Sequence, residues 1–191
     1  MWPLLATSVV ALAVVLERLL FILRELECRD PPLVGQILGY AEDGDFAKAI
    51  DAGKNSEDFV AKTLAYGLSH RHKSFSNALF QAAARELQRF SRGLPVLDTI
   101  VTLAPLLGLL GTVTGLIQSF GLLGAQELEA PTTITGGIAQ ALIATAFGLF
   151  IAIVALIPLN YLNARLEEAR REIEYASTHL ELLLMEPARR S

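Results

Sequence analysis

Two threonines stand inside two long apolar runs, where a hydroxyl is among the few polar groups on offer. Thr112 lies in residues 94–120, LPVLDTIVTLAPLLGLLGTVTGLIQSF, and Thr145 in residues 132–162, TTITGGIAQALIATAFGLFIAIVALIPLNYL. A hydroxyl can order water, hydrogen-bond a carboxyl group or return its proton to the backbone, but it does not titrate near neutral pH. Pro105, Gly108, Thr112, Gly115 and Ser119 recur at spacings of three and four, which puts them on one helix face, with Asp98 near the entry end. Around Thr145, the residues Ile138, Ala141, Gly148 and Ala152 share one side, and Gly136, Gly137, Gln140 and Ala144 the neighbouring side. Glycine and alanine permit close helix approach, which makes Gly108, Gly111, Gly115, Ala141, Gly148 and Ala152 helix-packing candidates. Thr112, Thr145, Gln140, Pro105, Ser119 and Asp98 are the candidates for lining a path across a membrane. If many copies of this helix pair surround an axis, they enclose a narrow pore ringed by hydroxyls. The Gln140 amide needs partners in a dry environment, and an interhelical bond or a place on a wet pathway would each supply them.

What these runs lack is equally informative. Their interiors hold no carboxylate, lysine or histidine; Asp98 is at an edge. A proton carrier must bind and release protons, so if the chain serves proton movement the titrating acid is expected from a partner. No nucleophile–base or metal constellation appears, so an enzyme is not expected. The single cysteine, Cys28, excludes an internal disulfide and a cysteine-cluster metal site. His70 and His72, in SHRHK, belong to a solvated turn. No cofactor is called for.

The elements that position these residues follow from composition and order. Hydrophobic residues make up 52% of the 191-residue chain, too many for an ordinary soluble domain. A bilayer takes ~20 apolar residues to cross. Residues 95–122 and 132–162 qualify, and residues 1–23, MWPLLATSVVALAVVLERLLFIL, form a first span despite Glu17 and Arg18 near its end. Trp2 would sit at one interface, and Arg18 would snorkel while pairing with Glu17. This opening lacks a basic leader and an A-x-A site, which argues against a removed signal peptide. Residues 24–94 read as a helical region. Asp30-Pro31-Pro32 is a helix start, Gly44-Asp45 punctuates, Ser56 with Glu57 and Asp58 reads as an N-cap with acids in the first turn, and Ser74 or Ser76 caps the next helix. From Leu79 the three-and-four spacing runs through Leu94 to Val101, which predicts one long helix entering the membrane with a kink at Pro95. Residues 123–131 form a short loop without Lys or Arg. In residues 163–191, Leu162, Leu166, Ala169, Ile173, Ala176, Leu180 and Leu183 alternate steps of four and three, so the third span continues as a helix packed on the bundle, followed by a tail. All Lys and Arg lie in residues 17–92 or after Tyr161. The positive-inside rule then places the bundle and C-terminus in the cytoplasm and the N-terminus and short loop outside. The expected class is an all-α integral membrane protein with three spans, the second and third extended into a cytoplasmic bundle.

APLLGLLGTVTGLIQSF at 104–120 and GGIAQALIATAFGLFIAIVALIPLNYL at 136–162 resemble the two signature segments of the MotA/TolQ/ExbB proton-channel family. The three-span layout, short outer loop and opening run resemble its ExbB/TolQ branch. The likeness covers nearly the whole chain, specific in the signatures and loose in residues 24–93. It implies an inner-membrane homopentamer whose second and third spans line a pore, with protons as coupling ion. It also implies an ExbD/TolR-like partner whose single membrane helix carries an Asp, and a TonB- or TolA-like protein driven by the motion; nucleic acid has no place in it. Thr112 matches the pore threonine of the GTV segment, Thr145 that of ALIATA, and Pro105 the proline ahead of the GLLGT run. ExbB and TolQ commonly have Glu where this chain has Gln140. A non-conducting scaffold for a single-span partner is the competing reading.

Overall fold

The computed structural model describes residues 2–123 and 130–185, with side chains except at 72–73, 122–123 and 130–134. Among the described residues there are helices and no strand: α1 (Trp2–Glu27), α2 (Pro31–Glu42), α3 (Phe46–Lys54), α4 (Phe59–Ser69), α5 (Arg71–Ser91), α6 (Leu94–Leu123) and α7 (Ala130–Met185). Among the described residues three helices are long and apolar enough to cross a membrane, so the chain is an all-α, multi-pass membrane protein. It divides into two units, Met1–Arg18 with Gly93–Leu162, and Leu19–Arg92 with Asn163–Ser191. Most of the expected outer loop lies outside the described residues.

The second unit is a helical bundle built on short, well-capped elements. Asp30 starts α2 by accepting the Leu33 N–H, with Pro31 and Pro32 in the first turn, as the sequence predicts. Gly44 takes φ 78° and Asp45 caps α3 through the Lys48 N–H. Gly53 lets α3 and α4 meet: a Cβ there would lie 2.6 Å from the Ala65 Cβ and 2.7 Å from the Ala61 carbonyl oxygen. Ile37, Leu64 and Leu68 are fully buried, and Phe59 meets Phe90 edge-on at 5.1 Å.

Three expectations are corrected in this unit. Asp58, not Ser56, caps α4; it accepts from the Val60 N–H (2.7 Å) and the Ala61 N–H (3.1 Å), while Ser56 Oγ accepts the Asp58 N–H. Asp58 is fully buried and also accepts from the Asp30 N–H (2.8 Å) and from Arg29, whose guanidinium reaches Glu172 on α7 at 2.8 Å and lies over the Phe59 ring. A carboxylate has enough lone pairs to serve all of these donors, whereas a serine hydroxyl does not. Second, α5 begins at Arg71, ahead of the expected cap, but its backbone breaks at Ser74 (φ −166°, ψ 76°), one of the two positions the sequence marks as a start. Third, α5 and α6 are two helices and not one that runs from the bundle into the membrane. α5 stops at Ser91, Gly93 takes φ 80°, and α6 begins at Leu94 with Pro95 in its first turn. A glycine past a helix end accepts the left-handed conformation without penalty, and proline is at home in a first turn, so the pair makes a break rather than a kink.

In the first unit, the early part of α1, α6 and the early part of α7 share a small-residue core: Leu4, Ala11, Ile100, Ala104, Ala144, Ile151, Ala152 and Ala155. Arg18 does not snorkel. It is 3% exposed, donates through Nε to Glu17 at 2.5 Å, and lays its stem beside Gly93. On α7, Leu162, Ala169, Ile173, Ala176 and Leu180 are buried and Leu166 and Leu183 half-buried, so the heptad seam is the packed face of this continuous helix.

Candidate functional site

The small-residue face of α6 does not wait for another copy of the chain; it is occupied by α7. A Cβ on Gly108 would fall 2.9 Å from the Thr145 Cα, one on Gly111 2.7 Å from the Ala144 Cβ, and one on Gly115 2.8 Å from the Ala141 Cβ. From the other side, a Cβ on Gly148 would fall 2.5 Å from the Ala104 carbonyl oxygen and 3.1 Å from the Gly108 Cα. Backbones approach this closely only where side chains are absent, and dispersion over such a seam is what holds membrane helices together. Ala152 is buried in the same core, beside Ala104 and Ala155 in the cluster.

The polar candidates distribute around this seam. Ser119 is inside it, 2% exposed, with its hydroxyl donating to the Gly115 carbonyl at 2.8 Å and packing against Gly137. Thr145 is half-buried and donates across the seam to the Gly108 carbonyl at 2.9 Å. Thr112 is half-buried and donates within α6 to the Leu109 carbonyl at 2.7 Å. Pro105, half-buried, has no N–H to give the Val101 carbonyl. Asp98 and Gln140 are exposed on the chain, Asp98 in the second turn of α6 with its carbonyl accepting the Thr102 hydroxyl at 3.0 Å. Thus Gly108, Gly111, Gly115, Gly148, Ala141, Ser119 and Thr145 come together along α6 and α7, while Asp98 and Gln140 point off the seam.

Sequence reasoning did not find the Thr145–Gly108 bond. The signal was there in part: a glycine opposite a threonine leaves a carbonyl that a hydroxyl can reach. Which glycine faces which threonine depends on how α6 and α7 slide past each other, and spacing within one helix says nothing about that. Likewise the pairing of buried Asp58 with half-buried Arg29 was missed. Among the described residues, no group of His, Cys, Asp and Glu is arranged to hold a metal ion.

A model of the MotA/TolQ/ExbB proton channel family matches residues 52–175. An ExbB-like biopolymer transport protein of Synechocystis sp. is 37% identical over 194 residues, spanning 97% of this chain and 75% of its own length. The Tol-Pal system protein TolQ of Pseudomonas aeruginosa is 42% identical over 92 residues, 48% of this chain and 40% of that protein. The biopolymer transport protein ExbB of Xanthomonas campestris pv. campestris is 37% identical over 93 residues, 49% and 37% of the respective chains.

Proposed function

The chain belongs to the MotA/TolQ/ExbB proton channel family, and on that premise we propose that it is the membrane subunit of a TonB/Tol-type energising complex, its α6 and α7 lining the pore. Several copies, five by the family resemblance, surround an axis in the bacterial inner membrane with the bundle in the cytoplasm. A single-span partner of the ExbD/TolR kind places an acid in the pore, and a TonB- or TolA-like protein takes up the motion driven by proton entry. The observation that carries this reading is the α6–α7 pair itself: a tight glycine seam, threonines at its edge, and no titratable group between Thr99 and Phe120 or between Ala141 and Leu159. Such a surface can order water but has no group of its own that binds and releases a proton near neutral pH, so a titrating acid has to come from a partner.

The test is proton flux into liposomes holding the chain with its co-purified single-span partner, read by a pH-sensitive dye. Flux that needs the partner and falls by one to two powers of ten in Thr112→Val and Thr145→Val, with assembly retained, supports the reading. Full flux in both valine variants removes the hydroxyls from the pathway. The scaffold reading rests on Gln140, an amide where the family resemblance implies Glu; it predicts no flux from the unsubstituted complex. Gln140→Glu separates two environments: on a wet path it alters the pH profile, in dry packing it destabilises the assembly.

A further inference from the structure

Within the bundle, α4 folds back along α5, and the fit between them is uneven. At one level it is tight: a Cβ on Gly67 would fall 2.5 Å from the Leu79 Cδ2. At another the two helices leave a cavity of about 270 Å³, lined by Lys62, Thr63 and Tyr66 from α4 and by Gln81, Arg85 and Glu86 from α5. Lys62 and Tyr66 are four residues apart, and so are Gln81 and Arg85, so each helix brings two donors one turn apart to the same cavity. These donors are largely unspent. The Arg85 guanidinium, the Gln81 amide and the Tyr66 phenol have no hydrogen-bond or ion-pair partner among the described residues. Lys62 gives one ammonium proton to the Glu57 carbonyl at 3.1 Å and keeps two. The one carboxylate among the lining residues is already engaged: Glu86 is held by Arg89, which also reaches Glu25 at 3.4 Å. A lone unpaired arginine on a surface is simply solvated. Four donor groups from two helices around one cavity, with its carboxylate paired elsewhere, are arranged for an anion.

We infer that the cavity between α4 and α5 binds a phosphate monoester group through Arg85, Lys62, Gln81 and Tyr66. The donor set selects the anion. A carboxylate is planar, and one guanidinium fork satisfies both of its oxygens, which would leave the α4 donors idle. A phosphate monoester carries a charge of about −1.5 to −2 at pH 7 and three terminal oxygens that point in different directions. It therefore engages Arg85 as a fork and Lys62 as a point charge at once, and has acceptors left for the Gln81 amide and the Tyr66 phenol. The cavity is smaller than the roughly 300–1,000 Å³ of a pocket that encloses a whole small molecule, so it takes the phosphate head and leaves the rest of the ligand outside. The head can belong to a soluble phosphate ester or to a phospholipid with a terminal phosphate; the recognition chemistry is the same. No residue of α6 or α7 takes part, and the inference stands independently of the pore role.

Isothermal titration calorimetry of the full chain in non-ionic detergent, with inorganic phosphate as the probe, tests this. Saturable binding at one phosphate per chain, weakening as salt rises, is the expected result. Arg85→Gln should weaken it about ten- to a hundredfold, the effect of losing charge-assisted hydrogen bonds. Tyr66→Phe keeps the ring, loses only the hydroxyl, and should weaken it about two- to tenfold. Arg85 and Tyr66 are both exposed, so neither change removes core packing. Lys54→Gln is the control, since it deletes the same charge from an exposed position on α3 that does not line the cavity. No saturable binding by the unsubstituted chain overturns the inference. Equal losses in Lys54→Gln and Arg85→Gln overturn it too, because the attraction would then be diffuse. The titration is repeated in nanodiscs of phosphatidylcholine with and without phosphatidic acid to identify the source. Weaker apparent phosphate binding in the presence of phosphatidic acid supports the site with a lipid headgroup as occupant, and unchanged binding supports it with a soluble phosphate ester.

Discussion

Replacing Gly148 by alanine puts one methyl group where the Ala104 carbonyl oxygen is 2.5 Å away and the Gly108 Cα 3.1 Å away. Both neighbours are backbone, so neither can rotate aside. Ordinary van der Waals contact needs 3.4 Å or more, and α6 and α7 must part by several tenths of an ångström. Overpacking of this kind costs about 1–3 kcal/mol. The separation also stretches the Thr145–Gly108 hydrogen bond, now 2.9 Å, whose loss adds about 1 kcal/mol. Alanine's better helix propensity returns about 1 kcal/mol. The net expectation is a destabilisation of about 1–3 kcal/mol. Gly136→Ala is the control: a Cβ there meets nothing within 4 Å, so the variant keeps the propensity gain and loses nothing within the chain. At roughly 2–4 °C per kcal/mol for a chain of this size, the two variants should differ by about 4–16 °C in melting temperature, measured in detergent by light scattering against temperature. Equal melting temperatures, or a more stable Gly148→Ala, would refute the seam as the interaction that holds α6 to α7.

Asp58→Ala strands the Val60, Ala61 and Asp30 N–H groups and leaves Arg29 to Glu172 alone, so the bundle should lose about 3 kcal/mol or more and α2–α4 should become sensitive to limited proteolysis under conditions where the unsubstituted chain resists. The Cys28 thiol donates to Glu57 at 3.2 Å, and that bond, followed by partial burial and the negative charge of Glu57, pushes its pKa above the usual thiol value. Thiolate is therefore scarce at pH 8, and Glu57→Gln should lower the pKa and speed iodoacetamide alkylation; an unchanged rate would remove Glu57 as the cause. A cysteine at Gln126 should react with an impermeant thiol reagent from outside intact cells and one at Ser74 should not, since Lys and Arg flank the bundle side alone; the reverse pattern would invert the topology.

Some of this protein is legible in one dimension because the physics involved is local. A run of ~20 apolar residues can satisfy its backbone in a bilayer only as a helix, so the three spans follow from length and composition. Asp30 before two prolines, and Gly44 before Asp45, start α2 and α3 where predicted because a cap involves only the next three residues. The heptad of α7 shows its packed face because 3.5-residue spacing is a property of a single helix.

The rest depends on what lies opposite. Ser56 and Asp58 are both good caps by type, and Asp58 prevails because Arg29 and the Asp30 N–H arrive from elsewhere to use its remaining lone pairs. The spacing from Leu79 to Val101 is unbroken as a pattern, yet Gly93 breaks the helix, with Val14 and Arg18 of α1 packed where a side chain would stand. Gly108 and Thr145 were both visible as small and polar candidates. That they face each other, and that the hydroxyl proton is spent on the Gly108 carbonyl, was decided by the register of α6 against α7. Register is a tertiary quantity: it comes from fitting two surfaces together, and neither helix carries it alone.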